Sequence, residues 1–137
     1  MAGGADAYVD TSAFIAFLDR SDTWHSLFRR LFAAPPRLLT SSLVVAEGHG
    51  WFLRRYDSTK ALQFLAMIDA MQPLEVVSVG PADIENGAAM LRRFQDQDLT
   101  LADAVGLQLM GDHDVRQCWS TDRHLALTGV SLAIHRG

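Results

Sequence analysis

The chain has 137 residues, 49% of them hydrophobic, so it can bury a substantial core but is too short for two full domains, and we expect one domain over residues 1–137. Its net charge of -4 argues against a protein that coats nucleic acid through broad basicity, so any nucleic acid must be held locally. The single cysteine excludes an intrachain disulfide, and no apolar run approaches the ~18 residues of a membrane-spanning helix, so we expect a cytoplasmic protein without membrane contact.

The first predicted elements are a short buried strand at residues 7–10 (AYVD) and a helix at 12–19 (SAFIAFLD), whose apolar residues recur at helical spacing. Thr11 or Ser12 can cap the start of this helix, so the strand ends on Asp10. A second helix, WHSLFRRLF, has one amphipathic face of apolar side chains spaced three and four apart: Trp24, Leu27, Phe28, Leu31 and Phe32. Most of this face is expected to pack in the core.

A proline pair, Pro35–Pro36, ends the second helix and precedes a strand at 37–40 (RLLT). The next predicted helix, 43–56, contains Glu47. Its possible N-caps are Thr40, Ser41 and Ser42. It also contains two residues that destabilise a helix interior, Gly48 and Gly50.

The second half of the chain continues the alternation of helix and strand. Helices are predicted at 59–71, 81–94 and 99–110, and strands at 74–79, 117–121 and 131–135. This order predicts an α/β fold, a single-domain α/β/α sandwich around a mostly parallel sheet. In such folds, ligands bind outside the carboxyl ends of the strands.

Four acidic residues occupy apolar segments, where a carboxylate is costly without hydrogen bonds, a cationic partner or a metal ion: Asp10, Glu47, Asp103 and Asp122. Asp10 and Asp122 close predicted strands, while Glu47 and Asp103 lie in early turns of helices that leave the same edge of the sheet. Because the chain has one lysine, a divalent cation is the simplest counter-charge for these acids. Oxygen ligands suit Mg²⁺ or Mn²⁺, so we predict one shared metal site.

Two of these acids have an ordinary role as helix caps. Asp10, followed by Thr11, fits an N-cap of the first helix. Thr100 and Asp103 fit a capping box in which aspartate replaces the usual glutamate or glutamine. Taken alone, each acid is explained better by its cap than by a metal site.

The other two acids also have structural alternatives. Glu47 lies two turns before Arg54 and Arg55 and can pair with either. Asp122 fits a turn residue whose side chain bonds the nearby backbone. A single site that explains all four acids is simpler than four separate coincidences.

Four segments together resemble the PIN domain, and closely the toxin ribonucleases of the VapC type: VDTSAFIAF at 9–17, TSSLVVAEGHGWFLRR at 40–55, DQDLTLADAVGLQLM at 96–110 and STDRHL at 120–125. The resemblance assigns the family's acidic quartet to Asp10, Glu47, Asp103 and Asp122, which serve as catalytic residues and metal ligands. It adds small polar residues beside the first and last acids, and an extra acid: Ser12, Thr121 and Asp98.

The resemblance implies a Mg²⁺- or Mn²⁺-dependent endoribonuclease that leaves a 5′-phosphate and a 3′-hydroxyl. Its implied partners are an RNA substrate, an antitoxin whose carboxyl-terminal segment lies along the early helices, and a second copy in a homodimer. Candidate phosphate contacts are Arg54, Arg55, Arg123 and His124, although paired arginines more often form a solvated helix face.

Two other functional classes fit less well. A catalytically silent PIN-like module would keep the acids for folding while it binds RNA or protein. A phosphatase or phospho-receiver domain also places an aspartate after its first strand. The phosphatase, however, needs a second aspartate where Ser12 stands, and the receiver needs a lysine that Lys60, within a predicted helix, does not supply.

Overall fold

The computed structural model describes residues 4–135, so the ends of the predicted domain at 1–3 and 136–137 lie outside it. The described strands are β1 (Ala7–Val9), β2 (Leu38–Ser41), β3 (Leu74–Val77), β4 (Gln117–Trp119) and β5 (Ser131–Leu132). They form one sheet in the order β3-β2-β1-β4-β5, and every neighbouring pair is parallel. The predicted α/β architecture is confirmed.

Helices cover this sheet. They are α1 (Thr11–Leu18), α2 (His25–Ala33), α3 (Ser42–Arg55), α4 (Ser58–Ala70), α5 (Pro81–Arg93) and α6 (Leu101–Asp112). They pack in consecutive pairs, α1 on α2, α3 on α4 and α5 on α6. Apart from the last strand, the predicted boundaries agree with the structure to within about two residues. Between residues 4 and 135, no helix is both long and apolar enough to cross a membrane.

The prediction for the last strand is wrong in length. A strand was expected at 131–135, but β5 ends at Leu132 and Ala133–His135 form a short 3-10 helix. The only partner of β5 in the described sheet is β4, which itself ends at Trp119 and pairs Cys118 with Leu132. Because β4 ends one residue beyond this pair, it offers too little strand to pair with the whole of residues 131–135.

The core is rich in aromatic side chains contributed by α1, α2, α4 and the sheet. Phe32 of α2 packs on Phe14 and Trp119 with ring centroids 5.6 and 4.9 Å apart, and Phe14 meets Phe64 of α4 at 5.9 Å. The predicted apolar face of α2 is thus largely internal. Trp24 at its start is the exception, with 36% of its surface exposed.

Helix α3 continues through both of its glycines. At Gly48 a Cβ atom would come within 2.5 Å of Cζ of the buried Phe64, so the missing side chain lets α4 approach closely. At Gly50 the nearest side-chain atom to such a Cβ is Nη1 of Arg54, at 3.1 Å. The helix interior therefore tolerates glycine here because tertiary packing compensates for its low helix propensity.

These two glycines make a matched pair. We expect Gly48→Ala to lower the free energy of unfolding by ~1–3 kcal/mol, because Phe64 is enclosed and must shift. In contrast, Gly50→Ala meets an exposed guanidinium that can move, so the gain in helix propensity should leave it neutral or stabilised by up to ~1 kcal/mol. Urea unfolding followed by circular dichroism measures both changes. Equal destabilisation of the two variants would contradict the packing role of Gly48.

Candidate active site

The candidate site lies where β1 and β4, distant in sequence, are neighbours in the sheet. From this pair the strand order proceeds through β2 and β3 on one side and through β5 on the other. Ligands of parallel α/β folds bind at such a switch point. Asp10 directly follows β1, and its N–H donates to the carbonyl of Trp119 at 3.0 Å. Ser120 and Asp122 follow β4, so the two strand ends present their polar residues to one region.

All four predicted acids line one cavity of about 350 Å³ at this edge. The first turn of α6 brings Asp103 there, and the second turn of α3 brings Glu47. Ser12 and Arg54 line the same cavity. The structure thus brings together residues from four separated segments, as the sequence predicted.

Asp10 is almost completely buried and is held by two serines. Its Oδ2 accepts hydrogen bonds from Ser12 Oγ at 2.8 Å and Ser120 Oγ at 3.0 Å. Each hydroxyl in turn accepts a backbone N–H, from Thr121 at 2.9 Å to Ser12 and from Asp122 at 2.9 Å to Ser120. The network fixes Asp10 and joins the ends of β1 and β4 to the start of α1.

Burial dominates the acidity of Asp10. The pKa of Asp10 is raised to about 6; loss of water around the carboxylate is the largest cause, the hydrogen bond from Ser12 opposes it, and the negative charge of Asp103 adds to it. The Asp103 carboxyl is also buried, and burial is the main reason why its pKa is raised. The hydrogen bond from the Thr100 N–H lowers this pKa, and the negative charges of Asp122 and Glu47 raise it. The acids therefore interact electrostatically across the cavity.

Asp103 acts as a helix cap and lines the cavity. Its Oδ2 accepts the Thr100 N–H at 3.1 Å, and Thr100 Oγ1 accepts the Asp103 N–H at 3.1 Å. This is the capping box that the sequence suggested. The cap occupies one carboxylate oxygen, so the structural role does not exclude a second role for the other.

Glu47 is exposed, contrary to the expectation from its apolar flanks. The buried positions of α3 recur at Val44, Gly48 and Phe52, and Glu47 lies beside this stripe rather than in it. Its Oε1 accepts a 2.6 Å hydrogen bond from Thr11 Oγ1. In the described chain, no ion pair joins it to Arg54 or Arg55, so the alternative pairing is not found.

Asp122 is partly exposed and fills the turn role that was its structural alternative. Its Oδ1 accepts the N–H of His124 at 2.9 Å and caps a short 3-10 helix, Arg123–Ala126, that the sequence did not predict. The His124 Nδ1 lies 2.9 Å from the same oxygen. His124, predicted as a phosphate contact, thus stands against an acid.

The sequence did not predict the roles of two hydroxyl residues, Ser120 and Thr11. The hydroxyl that reaches Asp10 from the end of β4 belongs to Ser120, whereas Thr121, expected as the polar residue beside Asp122, donates its backbone N–H to Ser12. Thr11 was considered only as a cap, whereas its hydroxyl holds Glu47. The available signal was the run of hydroxyl residues beside each acid, but sequence adjacency alone does not say which side chain faces inward.

The remaining predicted residues separate into two groups. Arg54 lines the cavity, whereas Arg55 lies over the Tyr56 ring at 5.0 Å. Asp98 and Arg123 are exposed and do not line the cavity. The structure therefore supports one of the three arginines as a neighbour of the acids.

The carboxylate oxygens of the cavity are ligands that a hard divalent cation prefers, although they do not form a preformed cage. Across residues 4–135, no three acidic, histidine or cysteine side chains are close enough to hold one ion together. Mg²⁺ is usually bound by one or two carboxylates and keeps several waters, so it does not need three direct protein ligands. The charges that act on Asp10 and Asp103 come from other carboxylates, a situation that a cation relieves.

Comparisons with known proteins agree on one family. The family model described as "PIN domain" matches residues 7–130. Ribonuclease VapC26 of Mycobacterium tuberculosis is 28% identical over 116 residues, which cover 84% of this chain and 85% of that protein.

Solved structures share the fold. The sarcin-ricin loop cleaving toxin VapC20 of Mycobacterium tuberculosis superposes with a TM-score of 0.83 at 24% identity, over 90% of this chain and 95% of that one. A toxin-antitoxin complex from Klebsiella pneumoniae gives 0.62 at 16% identity, over 92% and 94% of the two chains.

The raised pKa of Asp10 predicts how Asp10→Asn alters stability without metal. Below pH 3.8 the carboxyl is protonated in both the folded and the unfolded chain; as pH rises to about 6, the unfolded chain ionises first and the fold loses stability. Asparagine removes this penalty and still accepts both serine hydroxyls. In EDTA at about pH 8 we expect the variant to be ~2–3 kcal/mol more stable, with most of the gain absent near pH 4. Urea unfolding at both pH values measures this, and a less stable variant at the higher pH would contradict it.

Proposed function

Because this chain belongs to the PIN domain family, we propose that it is a metal-dependent endoribonuclease, the toxin of a type II toxin-antitoxin pair. The observation that carries the proposal is the single cavity lined by Asp10, Glu47, Asp103 and Asp122. The relative named as a ribonuclease supports the choice of RNA. Cleavage is expected to leave a 5′-phosphate and a 3′-hydroxyl.

The reaction needs positive charge in an acidic cavity. When bound, Mg²⁺ or Mn²⁺ supplies charge that stabilises the negative charge developing on the scissile phosphate. Asp10, Glu47 and Asp103 would hold the cation directly or through water, and Asp122 would complete the site. Without a cation these carboxylates repel the phosphate backbone of RNA, so substrate binding and cation binding are coupled.

Hydroxyl groups of the chain orient the acids. Ser12 and Ser120 both donate to Oδ2 of Asp10, so these hydrogen bonds leave Oδ1 free of the network. Thr11 fixes Glu47 in the same way. Partners of this kind hold ligand side chains in place and strengthen the site.

We extend the proposal to the biological partners. The structural neighbour described as a toxin-antitoxin complex supports a cognate antitoxin for this chain. A homodimer and a cytoplasmic location, both implied by the family resemblance, belong to the same proposal.

Substitution of Asp103 tests the activity, with Asp98 as a matched control nearby in the chain. With Mn²⁺ or Mg²⁺ we expect the wild type to cleave single-stranded RNA and EDTA to abolish cleavage. Asp103→Asn should reduce the rate by roughly a hundredfold or more, because it removes a charge at the site, whereas Asp98→Asn should stay within about twofold. End-labelled RNA on denaturing gels gives the rates, and thermal melting checks the fold.

Two outcomes would contradict this proposal. Cleavage that is unchanged in EDTA would remove the metal requirement. Wild-type protein that binds total cellular RNA but cleaves none of it in Mn²⁺ would favour the catalytically silent PIN-like module, in which the acids serve only the fold.

Arg54 and Arg55 provide a second matched pair. Arg54→Gln should raise KM for RNA about tenfold and lower the salt dependence of binding by about one phosphate contact, because this arginine lines the cavity. Arg55→Gln removes the same charge from the Tyr56 ring and should change KM by less than about threefold. Steady-state kinetics at several salt concentrations measures both effects. Equal losses would mean that the arginines act only through net charge.

A further inference from the structure

One face of α3 carries three different chemical groups toward the acidic cavity. Glu47, Trp51 and Arg54 stand at positions i, i+4 and i+7, and all three line the cavity. Glu47 belongs to the acidic set, and Arg54 is the arginine that is proposed to contact phosphate. The indole of Trp51 has no role in the proposed chemistry.

Trp51 is half-buried, and its position is fixed by aromatic neighbours. Its ring meets Phe52 edge to face at 5.0 Å and Tyr56 at 6.2 Å. Trp51 and Ile15 of α1 are the two large apolar side chains among those that line the cavity. Of the three tryptophans, Trp119 is 2% exposed in the core, and Trp24 lies outside this cavity.

The guanidinium of Arg54 folds back along the same helix. Its Nη1 lies 3.1 Å from the position that a Cβ of Gly50 would occupy, one turn earlier. The glycine, which directly precedes Trp51, therefore leaves room for this guanidinium along the helix. A planar aromatic surface, a guanidinium and an acidic cation site then adjoin one cavity of about 350 Å³, a volume at the lower end for small ligands.

We propose that Trp51 is the stacking surface for one unpaired base of the RNA, next to the scissile phosphate, with Arg54 on a neighbouring phosphate. This inference rests on the proposed ribonuclease function and narrows its substrate to RNA with an unpaired nucleotide at the cut. Aromatic side chains stack on bases of any sequence, and a base inside a duplex does not offer its face. Duplex RNA of the same sequence is therefore a poor substrate.

Three variants test the role of the indole. Trp51→Leu keeps an apolar side chain but loses the aromatic face, and it should raise KM for single-stranded RNA about tenfold with little change in kcat. Trp51→Phe should recover most of the affinity. Trp24→Leu, at an exposed tryptophan outside the cavity, should match the wild type. Each variant is also assayed with an oligomer that lacks the base at the cut. A structural defect would lower thermal stability and weaken binding to the intact and the abasic RNA alike, whereas loss of the base contact would weaken binding to the intact RNA alone.

Tryptophan fluorescence gives a readout independent of hydrolysis. In a Trp24→Phe background, stopped-flow mixing with single-stranded RNA in Mn²⁺ should quench the indole before turnover. The abasic oligomer, which has the same backbone charge, should quench little and bind about tenfold more weakly.

The possible outcomes distinguish failure of the base contact from failure of the ribonuclease proposal. Quenching by normal but not abasic RNA, without hydrolysis, would sink the ribonuclease proposal and keep the base contact. If Trp51→Leu hydrolysed RNA normally with the wild-type KM, the base contact alone would be overturned. The same would follow if Trp51→Leu lost binding to an antitoxin peptide while its affinity for RNA was unchanged. Absence of both quenching and hydrolysis overturns both.

Discussion

The buried carboxylate of Asp10 sits where β1 meets β4, and its hydrogen bonds to Ser12 and Ser120 connect the ends of both strands with the start of α1. A charge buried this deeply needs hydrogen-bond donors. The two serines each donate one proton to its Oδ2, while both accept backbone N–H groups from the turn after β4. Because the same bonds fix the turn that carries Asp122, the geometry of the acidic cavity depends on them.

Structural and chemical roles coincide in these acids rather than compete. Asp10 caps α1, Asp103 closes the capping box of α6, and Asp122 caps a 3-10 helix, so three of the four acids stand at helix starts. The exposed N–H groups there favour negative charge, which offsets part of the repulsion among neighbouring carboxylates. The fold can therefore hold an acidic cluster before any cation arrives, and the raised pKa of Asp10 reflects the desolvation and repulsion that remain.

Helix α3 joins the two halves of the proposed chemistry. Its buried side packs on α4 through Gly48, while its cavity side presents Glu47, Trp51 and Arg54. The close contact with Phe64 anchors the helix, and the helical repeat then places the three groups in a line. A pair of glycines that looks unfavourable by propensity alone thus belongs to the packing that orients the site.

The sequence by itself determined the alternation of strands and helices, and the position of the four acids at strand ends or in early helix turns, because apolar periodicity and capping are local properties of the chain. It also pointed to one family through four short segments. Only the tertiary structure decided that β1 and β4 are neighbours, and hence that Ser120 rather than Thr121 reaches Asp10. Likewise, the side chains of adjacent helical residues point about 100° apart, so Arg54 and Arg55 face different surroundings. Which of the two lines the cavity and which lies over Tyr56 depends on how α3 packs in the fold. Long-range strand pairing and side-chain direction depend on contacts between distant segments, which no local pattern encodes.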